Sequence, residues 1–106
     1  MIEFKDNEEL GKYVEEHKII KESIKCDFNI SLNTDLIVKG NITAWNINAD
    51  DINAYDIKAD DIIYNTVCFA YNDIKCKSIT GRKDNCKHFC LDGKIIIKEE
   101  VKNERY

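Results

Sequence analysis

Proline is absent from the 106 residues and glycine occurs only four times. That excludes a flexible linker chain of the Gly- or Pro-rich kind. Histidine is scarce as well, with His17 and His88 the only two. No paired set of acid, base and nucleophile can be assembled around them, so the chain is expected not to be an enzyme and to need no cofactor. No apolar run approaches the roughly 20 residues that a membrane-spanning helix requires. The opening MIEFKDNEEL is acidic and lacks the apolar centre of a signal peptide, so a cytoplasmic location is expected. Basic charge is in deficit: 16 Lys and Arg stand against 20 Asp and Glu, a net charge of −4. A direct nucleic-acid binder would carry a basic footprint, and attraction to anionic membranes is disfavoured for the same reason.

Cysteine is not scarce. Cys26, Cys68, Cys76, Cys86 and Cys90 make an odd set of five in a chain without an export signal, which points to reduced thiols rather than a disulfide framework. Cys is among the most buried residue types and behaves as a small hydrophobe.

The dominant pattern is a count in fives from Ile42 to Val67: ITAWN, INADD, INAYD, IKADD, IIYNT, then VCFAY. Its first slot holds Ile42, Ile47, Ile52, Ile57, Ile62 and Val67. Its third slot holds Ala44, Ala49, Ala54 and Ala59, then Tyr64 and Phe69. Upstream the count runs in sixes, through Ile24-x-Cys26, Ile30-x-Leu32, Leu36-x-Val38 and Ile42-x-Ala44. After Val67 one step of seven, with Asn72 and Asp73 inserted, leads to Ile74-x-Cys76 and Ile79-x-Gly81. Each apolar-x-apolar pair reads as a very short strand with both apolar side chains on one face. Asn, Asp and Gly between the pairs suit corners. Steps this short leave no room for hairpins, so each strand stacks on its equivalent one coil later. A single all-β domain is expected: a small right-handed parallel β-helix with five- to six-residue faces. An amphipathic helix is excluded, because a five-residue step would spiral the isoleucines around its surface.

Two coil shapes fit the steps. With three sides Ile24, Ile42, Ile57 and Ile74 stack; with four, Ile42 stacks on Ile62 and Ile47 on Val67. Three is preferred. Residues 1–22 read as an N-terminal cap, with Asn7 capping a helix through His17 whose narrow apolar face is Leu10, Tyr13, Val14 and His17. Ile2 and Phe4 before it make a short strand. The β-helix proper is expected over 23–81. Residues 82–106 read as a C-terminal cap and tail: an irregular basic stretch from Gly81 to Cys90, a closing strand at Ile95, Ile96 and Ile97, and a charged tail from Lys98 to Tyr106.

Two groupings carry candidate chemistry. Cys76, Cys86, His88 and Cys90 are metal-capable types, but Cys86-x-His88-x-Cys90 lacks the usual knuckle spacing, so no metal is expected. Asp50, Asp51, Asp56, Asp60 and Asp61, with Asp73 after them, project outward at regular rise, and regular carboxylates on a rod can imitate a phosphate backbone. Their plainer reading is that Asp is a good corner residue. Trp45, Tyr55 and Tyr71 take outward slots, where aromatics serve as interface anchors or homo-oligomer contacts.

The runs ITAWNINADDINAYDIKADDI, CFAYNDIKCKSITGR and HFCLDGKI resemble small β-helix proteins of phages and mobile elements of low-GC Gram-positive bacteria. More distantly the repeats are similar to pentapeptide-repeat proteins, some of which imitate DNA and inhibit DNA enzymes, although those place the small residue before the large one. They are also similar to the polymer-forming bactofilins. The resemblance implies a non-catalytic protein that binds a host protein, such as a nucleic-acid-handling or defence enzyme, in the manner of anti-CRISPR or anti-restriction inhibitors. Trp45, Tyr55, Tyr71 and the first five of those aspartates are its candidate contacts. The alternative is a structural β-helix that self-associates, as a homodimer or larger.

Overall fold

The structure, a computed structural model, describes residues 1–97. The charged tail expected over 98–106 lies outside them. The chain winds as a solenoid of parallel strands. Its first coil comprises β1 (Ile2–Phe4), the helix α1 (Asn7–His17) and β2 (Ile19–Ile20). The second holds β3 (Ile24–Cys26), β4 (Ile30–Ser31) and β5 (Leu36–Val38), and the third β6 (Ile42–Thr43), β7 (Asn46–Asn48) and β8 (Ile52–Ala54). The fourth holds β9 (Ile57–Lys58), β10 (Asp61–Tyr64) and β11 (Val67–Ala70). The fifth holds β12 (Ile74–Cys76), β13 (Ser78–Gly81) and β14 (Lys87–Cys90), after which β15 (Ile95–Ile97) opens another.

Three sheets form the walls. The first face runs β1-β3-β6-β9-β12-β15, the second β4-β7-β10-β13 and the third β2-β5-β8-β11-β14. All pairings are parallel, as steps too short for hairpins require. The coil is therefore three-sided: Ile24, Ile42, Ile57 and Ile74 stand in register on the first face. The four-sided alternative is overturned, because Ile62 pairs with Ile47 and not with Ile42.

The interior is a thin column of stacked isoleucines with Ala, Cys and Tyr filling the third slots. Ile24, Ile30, Ile42, Ile47, Ile52, Ile57, Ile62 and Ile74 are all essentially without solvent contact, as is Tyr64. Burying a side chain of this size contributes about 1.5–3 kcal/mol.

One register expectation fails. Val67 and Phe69 do not face inward; Cys68 and Ala70 do, opposite Ile52 and Ala54. Three residues separate the inward Tyr64 from the inward Cys68, namely Asn65 and Thr66 at the corner and Val67 opening β11, so the steps are six and six rather than five and seven. Because side chains alternate, the one-residue slip sends Phe69 to the outer face.

Strands also extend beyond the expected 23–81. β1 and β2 pair with β3 and β5. The stretch expected to be irregular from Gly81 to Cys90 ends in a regular strand, β14, paired with β11, and β15 pairs with β12. Gly81 sits over Tyr64, where a Cβ would collide with the Cys86 side chain and come within 3.0 Å of the Tyr64 ring.

The helix cap is Asp6 rather than Asn7. The Asp6 carboxylate accepts the Glu9 N–H at 2.9 Å. Asn7 does something a strand would otherwise do. Its amide accepts the Ser31 N–H at 2.8 Å and donates to the Ser31 carbonyl at 2.9 Å, closing the edge of β4. Leu10 and Val14 of α1 are buried on the first interior layer. Tyr13 packs edge-on to Phe4 at 5.4 Å, and His17 lies on Tyr13.

Candidate protein-binding face

A five-residue step in a three-sided coil sends successive fifth-slot residues to successive corners. Asp51 lies between the second and third faces, Asp56 between the third and first, and Asp61 opens β10 where the first face gives way to the second. The row of aspartates in the sequence is thus a rotation about the solenoid axis.

Their carboxylates are engaged in stitching coils together. Asp51 accepts the Val67 N–H at 3.1 Å, and Asp35 accepts the Asp51 N–H at 3.2 Å. Asp56 accepts the Asp73 N–H at 2.9 Å, and Asp73 in turn accepts the Lys94 N–H at 3.0 Å. Asp61 accepts the Ser78 hydroxyl at 2.7 Å, while its own N–H donates to Asn46 at 2.9 Å and Asn46 donates to Asn29 at 3.0 Å. Read along the axis, the corner columns run Asp35–Asp51–Val67, Asn41–Asp56–Asp73–Lys94 and Asn29–Asn46–Asp61–Ser78. No column among the described residues carries three carboxylates in succession. Asp50 and Asp60 point outward on separate corners, and Asp60 stands 4.0 Å from the Lys77 ammonium.

The aromatic candidates behave differently. Tyr55 and Tyr71 follow the paired residues Ala54 and Ala70, so they stack at the border of the third face, with ring centres 5.4 Å apart and planes 17° apart. Beside them the outward positions of the third face form a column in register: Ile19, Ile37, Asn53, Phe69 and Phe89. Phe69 and Phe89 lie with ring centres 5.0 Å apart. A shallow groove runs between the columns, lined by Ile37, Lys39, Asn53, Tyr55, Phe69 and Tyr71. Tyr55, Tyr71 and Phe89 are each between 42% and 48% exposed, and Leu91 at the same border is 66% exposed. Together they expose an aromatic-rich face, interrupted by Asn53, and exposed apolar patches of this kind are often functional. Trp45, 57% exposed, does not join it; it lies on the corner between the first and second faces, above Phe28 and below Asp60.

The thiols offer no comparable site. Burial pushes the Cys26 and Cys68 thiols up to about 12 and raises those of Cys76 and Cys90, so these groups are held neutral, the reverse of a nucleophilic thiolate. His88 occupies an inward slot opposite Cys68, and its Nδ1 lies 2.6 Å from the Tyr64 hydroxyl. That contact gives a buried phenol its hydrogen-bond partner, a structural role. Among the described residues no group of three or more His, Cys, Asp or Glu side chains is arranged to hold a metal ion. No helix among them is long and apolar enough to cross a membrane.

No protein-family model, curated protein or solved structure matches the chain.

Of the sequence candidates, the fold brings Tyr55 beside Tyr71, and Trp45 beside Asp60 and Asp61 at the corner between the first and second faces; Asp50 and Asp51 share the next corner and Asp56 stands at the third. Sequence reading missed Ile37, Phe69, Phe89 and Leu91. For Phe69 the signal was present: Cys68-x-Ala70 repeats the small third slot of Ile52-x-Ala54.

Proposed function

We propose that this chain is a non-catalytic interaction protein that recognises another protein through the aromatic outer face of its third sheet. The observation that carries this reading is the contiguous pairing of Tyr55 with Tyr71 and Phe69 with Phe89 on one flat wall. Half-exposed aromatics on a rigid sheet lose little conformational entropy on binding and make good anchors. Occupying a surface of a host nucleic-acid-handling or defence enzyme is the form of this role that the sequence resemblance suggests. Imitation of a phosphate backbone finds less support, since that would require a strip of carboxylates along the axis.

The test is capture of a protein from a host lysate by immobilised wild-type chain, compared with two variants. Tyr71→Asp should abolish capture while leaving the circular dichroism spectrum intact. Asp50→Asn with Asp60→Asn, which removes outward charge without touching the coil ladders, should leave it nearly unchanged. The opposite ranking would return the role to the carboxylates.

A further inference from the structure

The aromatic face is bordered by charges of both signs. Along its edge next to the second face stand Asp35, Asp51, Val67 and Lys87, one per coil; along the other edge stand Lys39, Tyr55, Tyr71 and Leu91. A surface shaped for a strongly acidic or strongly basic partner would carry one sign at its rim. This one is complementary to itself, the condition an isologous interface must meet.

Resting on the reading above that this face binds protein, we propose that its occupant is a second copy of the chain, docked face to face about a twofold axis parallel to the strands. That axis lays the fifth coil of one copy over the second coil of the other, and the fourth over the third. Phe89 then meets Ile37, Tyr71 meets Tyr55, and Lys87 meets Asp35, each contact occurring twice. Leu91 lies on the aliphatic stem of Lys39. The two sheets pack as aligned layers, the common arrangement for flat β faces. Four coils at about 4.8 Å and three outward positions at about 6.7 Å make a footprint of roughly 400 Å² per copy once side-chain width is added. A standard stable interface buries about 800 Å² per partner. An interface of about half that size is of the weak, reversible class.

Sedimentation of the full chain from about 10 µM to about 1 mM, a range that spans weak, reversible association, tests the proposal. The wild type should pass from monomer to dimer across this range. Phe89→Asp should remain monomeric with an unchanged circular dichroism spectrum, and Tyr71→Lys provides a second variant of the same face should Phe89→Asp fold poorly. Lys87→Asp should weaken the dimer about tenfold, and adding Asp35→Lys should restore it. A wild type still monomeric at the top of the range overturns the proposal, as does a dimer indifferent to both aromatic variants. Failure of the charge exchange to restore dimerisation overturns the antiparallel docking. The underlying reading fails separately: a monomeric wild type whose capture of a lysate protein is lost in Tyr71→Asp removes only the self-docking, whereas a monomer with unaffected capture removes both.

Discussion

At the amino-terminal end of the solenoid, α1 stands where the first coil would otherwise place a second-face strand, and Leu10, Val14 and Ile20 seal the interior with almost no solvent contact. At the carboxy-terminal end the corresponding layer is Ile79, Cys86, His88, Cys90 and Ile95, all partly or largely exposed. The strand edges differ in the same sense. Asn7 presents its amide to β4 as a neighbouring peptide would, while β13 and β14 have no further strand beyond them among the described residues. An interior position in a solenoid is only as dry as the coil stacked on it, so identical slots carry different energies at the two ends. The chemistry differs in part: large aliphatics fill the sealed end, whereas Gly81, Cys86, His88 and Cys90 stand beside Ile79 and Ile95 in the carboxy-terminal layer.

The most direct way to break this comparison is to truncate both ends equally. Leu10→Ala should cost about 2–5 kcal/mol in denaturant unfolding, the range for a fully buried leucine. Ile95→Ala, whose side chain is only half-buried, should cost less than half as much. Equal losses would mean that the carboxy-terminal layer is as well covered as the amino-terminal one.

The coil ladders offer the next test, and two of the three reach the last coils, at Lys94 and Ser78. On the corner between the second and third faces the side-chain chain ends at Val67, and the Lys87 N–H donates to the Thr66 carbonyl instead of to a side chain. Combining Asp51→Ala, Asp56→Ala and Asp61→Ala removes one coil-to-coil hydrogen bond at each corner. At about 0.5–1.5 kcal/mol per bond, the triple variant should lose about 2–4 kcal/mol of stability. Asp50→Ala and Asp60→Ala, which lack such bonds, should stay within about 0.5 kcal/mol of wild type. If the triple variant instead kept its stability and lost partner binding, the aspartates would be contacts and not corners.

These residues also mark how far the sequence could be read. The interior was legible because isoleucine recurs at the first slot and a helix cannot keep that spacing on one face. Which slot faces inward was ambiguous at one place only. Val67-x-Phe69 and Cys68-x-Ala70 are both apolar pairs, and the choice rests on whether two residues or three separate the inward pair from Tyr64. The azimuth of each aspartate was not legible at all, since a slot becomes a direction only when the number of sides is known. Tyr55 and Tyr71 were recognised as outward and prove to be neighbours. Phe89 was hidden because the segment from Arg82 to Lys87 stretches the repeat between Cys68 and His88 to 20 residues.

A smaller effect tests the amino-terminal edge alone. Asn7→Ala leaves the Ser31 N–H and carbonyl without their protein partner at an exposed edge where water can replace it, so a cost of about 1 kcal/mol is expected. Hydrogen exchange at Ser31 should accelerate, toward the rates of β13 and β14 at the opposite end. An unchanged Ser31 rate would show that α1 protects this edge by covering it and that the amide bonds are incidental.

The thiols report on the same gradient. Cys26 and Cys68 lie inside the sealed part of the column, whereas Cys86 and Cys90 belong to the open layer. A small alkylating reagent at pH 8 should therefore modify Cys86 and Cys90 first and reach Cys26, Cys68 and Cys76 only on unfolding. Burial that holds the first two thiols near 12 also gives stability a pH dependence. The unfolded thiol ionises at about 8.5 and the folded one does not, so above that pH the unfolded state binds fewer protons and stability falls. Below it the contribution is fully present. The loss steepens toward about 1.4 kcal/mol per pH unit for a fully buried thiol, until the folded group titrates. Cys68→Ala should flatten this alkaline slope. A slope indifferent to Cys68 would mean that water reaches the middle of the column, and the contrast between the two ends would then dissolve.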